Sequence, residues 1–261
     1  MKAVLLAGGL GTRMREETEF RPKPMVEVGG KPVLWHIMKI FSTYGIDDFV
    51  VCTGYKGEII KEYFLDYEAR NNDFTITLGR SREIVFHDQH LESDWRVTVA
   101  DTGPATQTGG RVARIRRYVE QDDRFIVTYG DGLADVDVGK LLAFHEAHGK
   151  QATITTVRPL SRFGLVDLDA SAQVQRFREK PQVDDWVSAG FFVFERGVLD
   201  VLGQDCDDLV LEQEPLADLA SRGELVAYQH EGFWQPMDTY RESTLLNDMW
   251  NRGDAAWKVW Q

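Results

Sequence analysis

KAVLLAGGLGTR, residues 2–13, decides the fold. Its first half, 2–7, is a short apolar run of the kind that forms a strand buried on both faces, and Gly8 and Gly9 end it. A buried strand that runs into a glycine loop is typical of α/β sheets, where ligands bind at the carboxyl ends of the strands. We therefore expect a ligand at residues 8–13.

The same alternation of buried strands and amphipathic helices continues along the chain. Apolar residues recur at helical spacing from Val33 to Tyr44, after Pro32 and before Gly45. Further strands are expected at 49–52, 125–129 and 153–157, with helices at about 59–64 and 138–148. This order predicts an α/β fold with a mostly parallel central sheet flanked by helices. Short strands at 165–168, 174–177 and 191–194 predict a smaller mixed lobe continuous with that sheet.

Composition limits the partners. The 261 residues are 43% hydrophobic, enough for a sizeable core, and the formal net charge is −12. That charge disfavours nucleic acid and anionic membranes, so an anionic ligand needs a local group of cations and backbone N–H groups. Two cysteines, Cys52 and Cys206, make no disulfide framework. No apolar run reaches the roughly 20 residues of a membrane span, and no signal peptide is evident, so we expect a cytoplasmic protein.

Cations accompany the glycine loop. Arg13 ends it and Lys23 follows in Arg21-Pro22-Lys23-Pro24. Glycines let backbone N–H groups approach phosphate oxygens, and two cations would neutralise a triphosphate. Glycines alone are also common in tight strand-to-helix turns. A dinucleotide fingerprint would need glycine where Met14 stands, and the Gly-Lys-Ser/Thr of a P-loop is missing.

Two aspartates from distant segments are candidate metal ligands. Asp131 follows a strand between two glycines, and Asp238 lies in Gln-Pro-Met-Asp, residues 235–238. Mg²⁺ prefers few protein oxygens completed by phosphates and water. A lone aspartate is more often a turn or cap residue, which is the role we expect for Asp135 and Asp137.

GGLGTR followed by PKPM resembles the signature of the sugar-1-phosphate nucleotidylyltransferases, and the chain is similar to their glucose-1-phosphate cytidylyltransferase branch. Further matches in order are REET (15–18), KPVLWHIM (31–38), GYKGEIIKEYF (54–64), DTG (101–103), TGGR (108–111), TYGDGLAD (128–135), RFG (162–164), REKP (178–181), EQEPL (212–216) and GFWQPMDT (232–239). The resemblance implies a Rossmann-like nucleotidyltransferase fold. It also implies transfer from CTP to α-D-glucose 1-phosphate with Mg²⁺, giving CDP-glucose for deoxysugar or surface-polysaccharide synthesis.

The predicted site residues fall into groups. The nucleotide-binding residues are Leu6, Ala7, Gly8, Gly9, Gly11, Thr12, Arg13, Lys23, Thr108, Gly110, Arg111, Gly130 and Asp131. The sugar-phosphate-binding residues are Tyr129, Gly164, Glu179, Lys180, Ser188, Gly190 and Trp234. The expected catalytic residues are Arg13, Lys23, Asp131 and, as the resemblance implies, Lys180, and Asp131 and Asp238 are expected to hold the metal. The resemblance implies that Arg111 reads cytosine, whereas the glycines before it are also consistent with a turn into a helix starting at Val112.

One departure leaves the acceptor open. Relatives that make CDP-glucose tend to have Asn-Gly-Gly where this chain has Ser188-Ala189-Gly190, and Leu211 stands where an aromatic is more usual. Serine offers fewer hydrogen bonds than asparagine. A different sugar 1-phosphate or phosphorylated acceptor is therefore an alternative. A non-catalytic nucleotide-sugar sensor is disfavoured because Lys23 and both aspartates are present, and an NAD-type oxidoreductase because the third glycine is missing.

The whole chain is expected to be one domain: a nucleotide-binding part at about 1–158, a sugar-phosphate-binding part at about 159–240 and a helical tail at about 241–261. The tail includes Trp250, Trp257 and Trp260. The resemblance implies a homo-oligomer, and tail aromatics buried at an interface would fit this expectation.

Overall fold

A computed structural model describes residues 1–79, 83–88, 90–161, 163–203 and 207–260, without the side chains of 15 and 16. Arg162 of the RFG motif and Cys206 lie outside the described residues. The strands are β1 Ala3–Leu6, β2 Glu27–Val28, β3 Lys31–Pro32, β4 Asp48–Thr53, β5 Phe74–Ile76, β6 Ile84–Phe86, β7 Arg96–Asp101, β8 Arg124–Tyr129, β9 Gly132–Ala134, β10 Ala152–Val157, β11 Leu165–Leu168, β12 Val174–Arg178, β13 Val187–Glu195, β14 Leu225–Gln229 and β15 Trp234–Pro236. The α-helices are α1 Arg15–Thr18, α2 Val33–Ser42, α3 Gly57–Leu65, α4 Tyr67–Asn71, α5 Thr108–Arg114, α6 Arg116–Val119, α7 Val138–His148, α8 Val198–Leu202, α9 Glu214–Ser221 and α10 Tyr240–Arg252.

Seven strands form the central sheet, in the order β14-β10-β13-β8-β1-β4-β7. The neighbours from β8 to β7 pair in parallel, as do β14 and β10, whereas β13 is antiparallel to both of its neighbours. The predicted mostly parallel sheet is confirmed. Strand β13 enters the sheet between β10 and β8, so the chain after residue 160 contributes directly to the sheet beside the ligand-binding edge.

The sheet is covered on both faces, which explains the unbroken apolar run of β1. Ala3 and Leu5 pack into a core with α2, while Val4 and Leu6 pack into a second core that includes residues of α5 and α8. Alternate side chains of a strand point to opposite faces, so a central strand with apolar residues at every position must be covered twice.

The tail is only partly helical. Helix α10 ends at Arg252, because Gly253 adopts a left-handed conformation with φ 77° and caps it. The prediction of a helical tail over 241–261 is therefore wrong for residues 253–260. Trp257 is fully buried in the core of its own chain and contacts the ring of Phe233. Burial of this side chain is thus explained without a partner, and the homo-oligomer stays a prediction.

Two further differences concern local structure. Helix α5 begins at Thr108 rather than Val112, because the N–H of Gly110 bonds to the carbonyl of Leu209 and Gly109 packs against that same carbonyl. The half-exposed edge strand β7 has polar residues among its apolar ones, so it lacks the apolar run that revealed the central strands. The other edge strand, β14, was also not predicted, although its first four residues are apolar. None of the described helices is long and apolar enough to cross a membrane.

Candidate active site

A cleft of about 280 Å³ opens at the carboxyl ends of β1 and β8. Its lining brings together Leu6, Gly8, Gly9, Gly11, Thr12, Arg13, Lys23, Pro24, Thr106, Gln107, Thr108, Arg111, Tyr129, Asp131 and Asp238. Three predicted nucleotide-binding residues are buried behind this lining: Ala7, Gly110 and Gly130. Residues from five separate stretches of sequence thus meet at the edge where an α/β sheet binds its ligands.

The glycine loop rests on the buried side chain of Arg111. Its guanidinium donates to the carbonyls of Thr53 (3.0 Å), Gly103 (2.9 Å) and Gly8 (2.9 Å) and to the hydroxyl of Thr102 (2.7 Å). A Cβ added to Gly8 would lie 2.1 Å from Nη1 of Arg111, so only glycine allows this approach. Burial lowers the pKa of Arg111 from its ordinary value. In this structure Arg111 therefore supports the loop from behind, and its reading of the base stays a prediction.

The two predicted metal ligands are brought together by a small antiparallel ladder. Strand β9 begins directly after Asp131, and β15 ends two residues before Asp238. Pro236 pairs with Gly132, and the N–H of Met237 donates to the carbonyl of Asp131 at 2.8 Å. This pairing fixes residues more than 100 positions apart in sequence at one end of the cleft.

The start of α10 orients Asp238. Thr239 caps the helix and receives the N–H of Glu242, while the Glu242 carboxylate accepts the N–H groups of Asp238 (2.6 Å) and Thr239 (2.9 Å). This capping box fixes the backbone on both sides of the aspartate.

Lys23 lies between the two carboxylates. Its Nζ is 2.6 Å from Asp131 Oδ2 and 2.5 Å from Asp238 Oδ1, and Nη1 of the exposed Arg13 is 2.7 Å from the other oxygen of Asp238. Burial works against the charge of Lys23, but the two carboxylates outweigh it and raise its pKa above the ordinary value. The cleft therefore holds two cations and two anions as one connected group.

The pair of aspartates suits Mg²⁺. One cation, Lys23 Nζ, already contacts an oxygen of each, which shows that both can share a single positive centre. Among the described residues no group of three or more His, Cys, Asp or Glu could hold a metal ion. Two carboxylates completed by phosphate oxygens and water are a usual Mg²⁺ environment, so the donor set fits this ion only with a phosphate ligand present.

Part of the predicted acceptor side gathers around Tyr129. Gly190 of β13 has φ +80°, and a Cβ there would lie 2.2 Å from the Tyr129 ring. Nε1 of Trp234 donates to the carbonyl of Ala189 at 3.0 Å, and the N–H of Gly190 donates to Oγ of Ser188 at 3.3 Å. These residues form a wall beside the cleft, at the strand that neighbours β8.

The remaining acceptor-side residues lie apart, near the β11–β12 hairpin. Glu179 and Lys180 follow β12, are exposed and form an ion pair at 3.4 Å. A Cβ added to Gly164 would lie 2.6 Å from the Phe177 ring and 3.2 Å from Oε2 of Glu179. Lys180 has φ 43°, a left-handed conformation that a lysine adopts at a cost of about 1–2 kcal/mol. Such an outlier is more frequent at functional positions.

Sequence reasoning missed several residues of the cleft. The cleft is also lined by Pro24, Thr106 and Gln107. The only sequence signal for them was that they are close in sequence to Lys23 or Thr108. Glu212 accepts hydrogen bonds from the hydroxyls of Thr108 and Tyr129. It lies in the EQEPL motif, whose residues received no role from the sequence.

Solved structures show the same architecture. A Bacillus anthracis protein described as a glucose-1-phosphate thymidylyltransferase superposes with a TM-score of 0.70 at 17% identity, covering 100% of this chain and 97% of that one. A UDP-glucose pyrophosphorylase in complex with UDP-glucose gives 0.69 at 14% identity, covering 97% and 98%. At these identities the likeness shows the fold alone, which this chain shares with both proteins.

Sequence relatives define the family. The sequence profile of the family described as nucleotidyl transferase matches residues 2–235. A Salmonella typhi glucose-1-phosphate cytidylyltransferase is 51% identical over the full length of both chains. The beta catalytic subunit of a Xenopus tropicalis mannose-1-phosphate guanylyltransferase is 31% identical over 95% of this chain and 64% of its own length. The chain belongs to the nucleotidyl transferase family, and its resemblance to the glucose-1-phosphate cytidylyltransferases is confirmed.

Proposed function

We propose that this chain transfers the cytidylyl group of CTP to α-D-glucose 1-phosphate, giving CDP-glucose and pyrophosphate. The arrangement that supports the proposal is Lys23 between Asp131 and Asp238 at the mouth of the glycine loop. Identity of 51% over the full length to a glucose-1-phosphate cytidylyltransferase favours CTP over other nucleotides, since the guanylyltransferase is only 31% identical.

The reaction is an in-line displacement at phosphorus. An oxygen of the sugar phosphate forms a bond to the α-phosphorus of CTP, and the bond from that phosphorus to the oxygen bridging to the β-phosphate breaks. The electron pair leaves with pyrophosphate. The nucleophile is already anionic, so the protein contributes positioning and charge neutralisation rather than a strong base.

The cations of the cleft suit the donor. Arg13 is 71% exposed and would contact the β- and γ-phosphates, whereas Lys23 is 11% exposed and would contact the α-phosphate. Asp131 and Asp238 would hold Mg²⁺, which supplies further neutralisation of the phosphate charge. In this structure the aspartates contact Arg13 and Lys23, and the phosphates of the nucleotide would take over these cations.

Lys180 and Glu179 would hold the acceptor, with Lys180 aligning its phosphate and Glu179 contacting sugar hydroxyls. This side is completed by Gly164, Ser188, Gly190, Trp234 and Tyr129.

A second acceptor remains a candidate because of Ser188. Its hydroxyl accepts the N–H of Gly190 at 3.3 Å, within its own strand. A panel of sugar 1-phosphates, compared by kcat/KM with CTP, separates the candidates. Glucose 1-phosphate should be preferred, and a higher value for another sugar would replace it.

The base is tested by a parallel panel of CTP, UTP, dTTP and GTP with glucose 1-phosphate. We expect CTP to give the highest kcat/KM. Arg111→Ala should weaken CTP more than UTP. An unchanged ratio would leave Arg111 with its supporting role alone.

We further propose a cytoplasmic homo-oligomer. Dependence on CTP favours the cytoplasm. Apolar side chains exposed on two separate hairpins support self-association: Phe74 and Val85 on β5–β6, and Val166 and Phe177 on β11–β12. An isolated two-stranded hairpin is marginally stable in water and is stabilised by packing against another surface. Light scattering of the pure protein should give a mass of at least two chains, and a monomer at micromolar concentration would contradict this.

A further inference from the structure

One carboxylate links the two sides of the cleft. Glu212 lies in the loop before α9. Its Oε2 accepts the hydroxyl of Thr108 at 2.6 Å, and its Oε1 accepts the hydroxyl of Tyr129. Thr108 lies on the side that we assign to the nucleotide, and Tyr129 lies on the side that we assign to the acceptor. The two carboxylate oxygens of Glu212 thus bind one residue on each side of the cleft.

The loop that carries Glu212 lies against the first turn of α5 and is hydrogen-bonded to it. The N–H of Gly110 donates to the carbonyl of Leu209 at 3.0 Å, and the N–H of Leu211 donates to Oγ1 of Thr108 at 3.0 Å. The hydroxyl of Thr108 is therefore hydrogen-bonded to this loop twice: it accepts the N–H of Leu211 and donates to the carboxylate of Glu212. A movement at the start of α5 has to move Glu212 with it.

On the other side, Tyr129 has little freedom except at its hydroxyl. Its ring packs edge-on against Phe192 with centroids 6.0 Å apart and lies under Gly190. The backbone of Tyr129 leads directly into Gly130 and Asp131. The bond to Glu212 therefore joins the direction of the Tyr129 hydroxyl to the position of α5.

We propose that Glu212 is a positioning residue that couples binding of the two substrates, an inference that rests on the proposed nucleotidyl transfer. A carboxylate accepts hydrogen bonds about twice as strong as neutral acceptors do, so it can hold both hydroxyls in one geometry. A nucleotide that orders Thr108 would preset Tyr129 for the sugar phosphate. By linkage, the sugar phosphate would favour the nucleotide by the same factor.

The test compares Glu212→Gln with Glu214→Gln. Glu214 is an exposed residue two positions further along, in the first turn of α9, and its carboxylate enters no hydrogen bond among the described residues. Both variants lose one negative charge. In Glu212→Gln, one charge-assisted bond is weakened on each side, so the KM of CTP and of the sugar phosphate should each rise about tenfold while kcat changes less. Glu214→Gln should match the unaltered protein.

Coupling itself is measured by the KM of the sugar phosphate at low and at saturating CTP. It should fall as CTP rises in the unaltered protein and stay constant in Glu212→Gln. Adding Tyr129→Phe to Glu212→Gln should raise the KM of the sugar phosphate no further than either change alone.

The proposal is overturned if Glu212→Gln keeps both KM values within about twofold of the unaltered protein, or if Glu214→Gln shows the same rise. It is also overturned if the only change is a lower melting temperature, or if the Tyr129 and Glu212 effects add. Failure of the proposed function is a different result, namely no pyrophosphate from the unaltered protein with any nucleotide. In that case the affinity of CTP, measured by calorimetry in the same two variants, still decides the role of Glu212.

Discussion

Two neighbouring glycines of the loop, Gly8 and Gly9, should respond very differently to substitution by alanine. A methyl group at Gly8 would lie 2.1 Å from Nη1 and 2.3 Å from Cζ of Arg111, whereas a methyl at Gly9 would meet nothing within 4 Å. Van der Waals contact needs more than 3 Å, so Gly8→Ala has to push the guanidinium out of its place. Arg111 is only 4% exposed and its guanidinium also lies against Gly54, so moving it breaks hydrogen bonds that it makes in the folded protein.

The expected magnitude follows from the hydrogen bonds that Arg111 makes. Losing two of its four bonds to buried acceptors, at about 1–2 kcal/mol each, costs about 2–4 kcal/mol of unfolding free energy. Gly9→Ala should cost less than about 1 kcal/mol. Urea denaturation of both variants and the unaltered protein measures the difference, and calorimetry with CTP should show the larger loss of affinity in Gly8→Ala. Equal stability of the two variants would refute the supporting role of Arg111.

Three further predictions concern the metal ligands, pH and the core. Asp131→Asn should lower the rate of pyrophosphate release by hundreds-fold or more at saturating Mg²⁺, and Asp135→Asn, the same change outside the cleft, should not; a near-normal rate in Asp131→Asn would contradict the metal assignment. Burial lowers the pKa of His36 to about 4, so below pH 6.5 the unfolded chain binds a proton that the folded chain does not. Unfolding free energy should therefore fall by about 2 kcal/mol between pH 7 and 5 from this group, and an equal slope in His36→Gln would refute this origin. Trp257→Ala should cost about 3–5 kcal/mol in urea denaturation, and a loss below about 1 kcal/mol would show that the tail does not complete the core.

Local signals in the sequence predicted the elements that are buried and regular. Helix α7 spans Val138–His148 as expected, with Asp137 as its cap, because an apolar helical pattern lies between an N-cap residue and Gly149. Strand β1 was recognisable because a central strand is apolar at every position. The edge strand β7 was missed since half of its surface is exposed and its residues alternate with polar ones.

The site depended more on resemblance than on local pattern. Asp131 was marked by its flanking glycines, but nothing near Asp238 in sequence shows that it lies beside Lys23, because the β9–β15 ladder that joins them is a long-range pairing. Glu212 could not be found from its own surroundings for the same reason. Its partners, Thr108 and Tyr129, are 104 and 83 positions away.

The central claim is nucleotidyl transfer from CTP to glucose 1-phosphate, and its most direct measurement is the stoichiometry of products. The protein is mixed with CTP, glucose 1-phosphate and Mg²⁺, pyrophosphate is quantified, and phosphorus NMR follows the nucleotide sugar. We predict one pyrophosphate for each CDP-glucose formed, with neither product when the sugar phosphate is omitted. Pyrophosphate without CDP-glucose, or no pyrophosphate at all, would contradict the assignment.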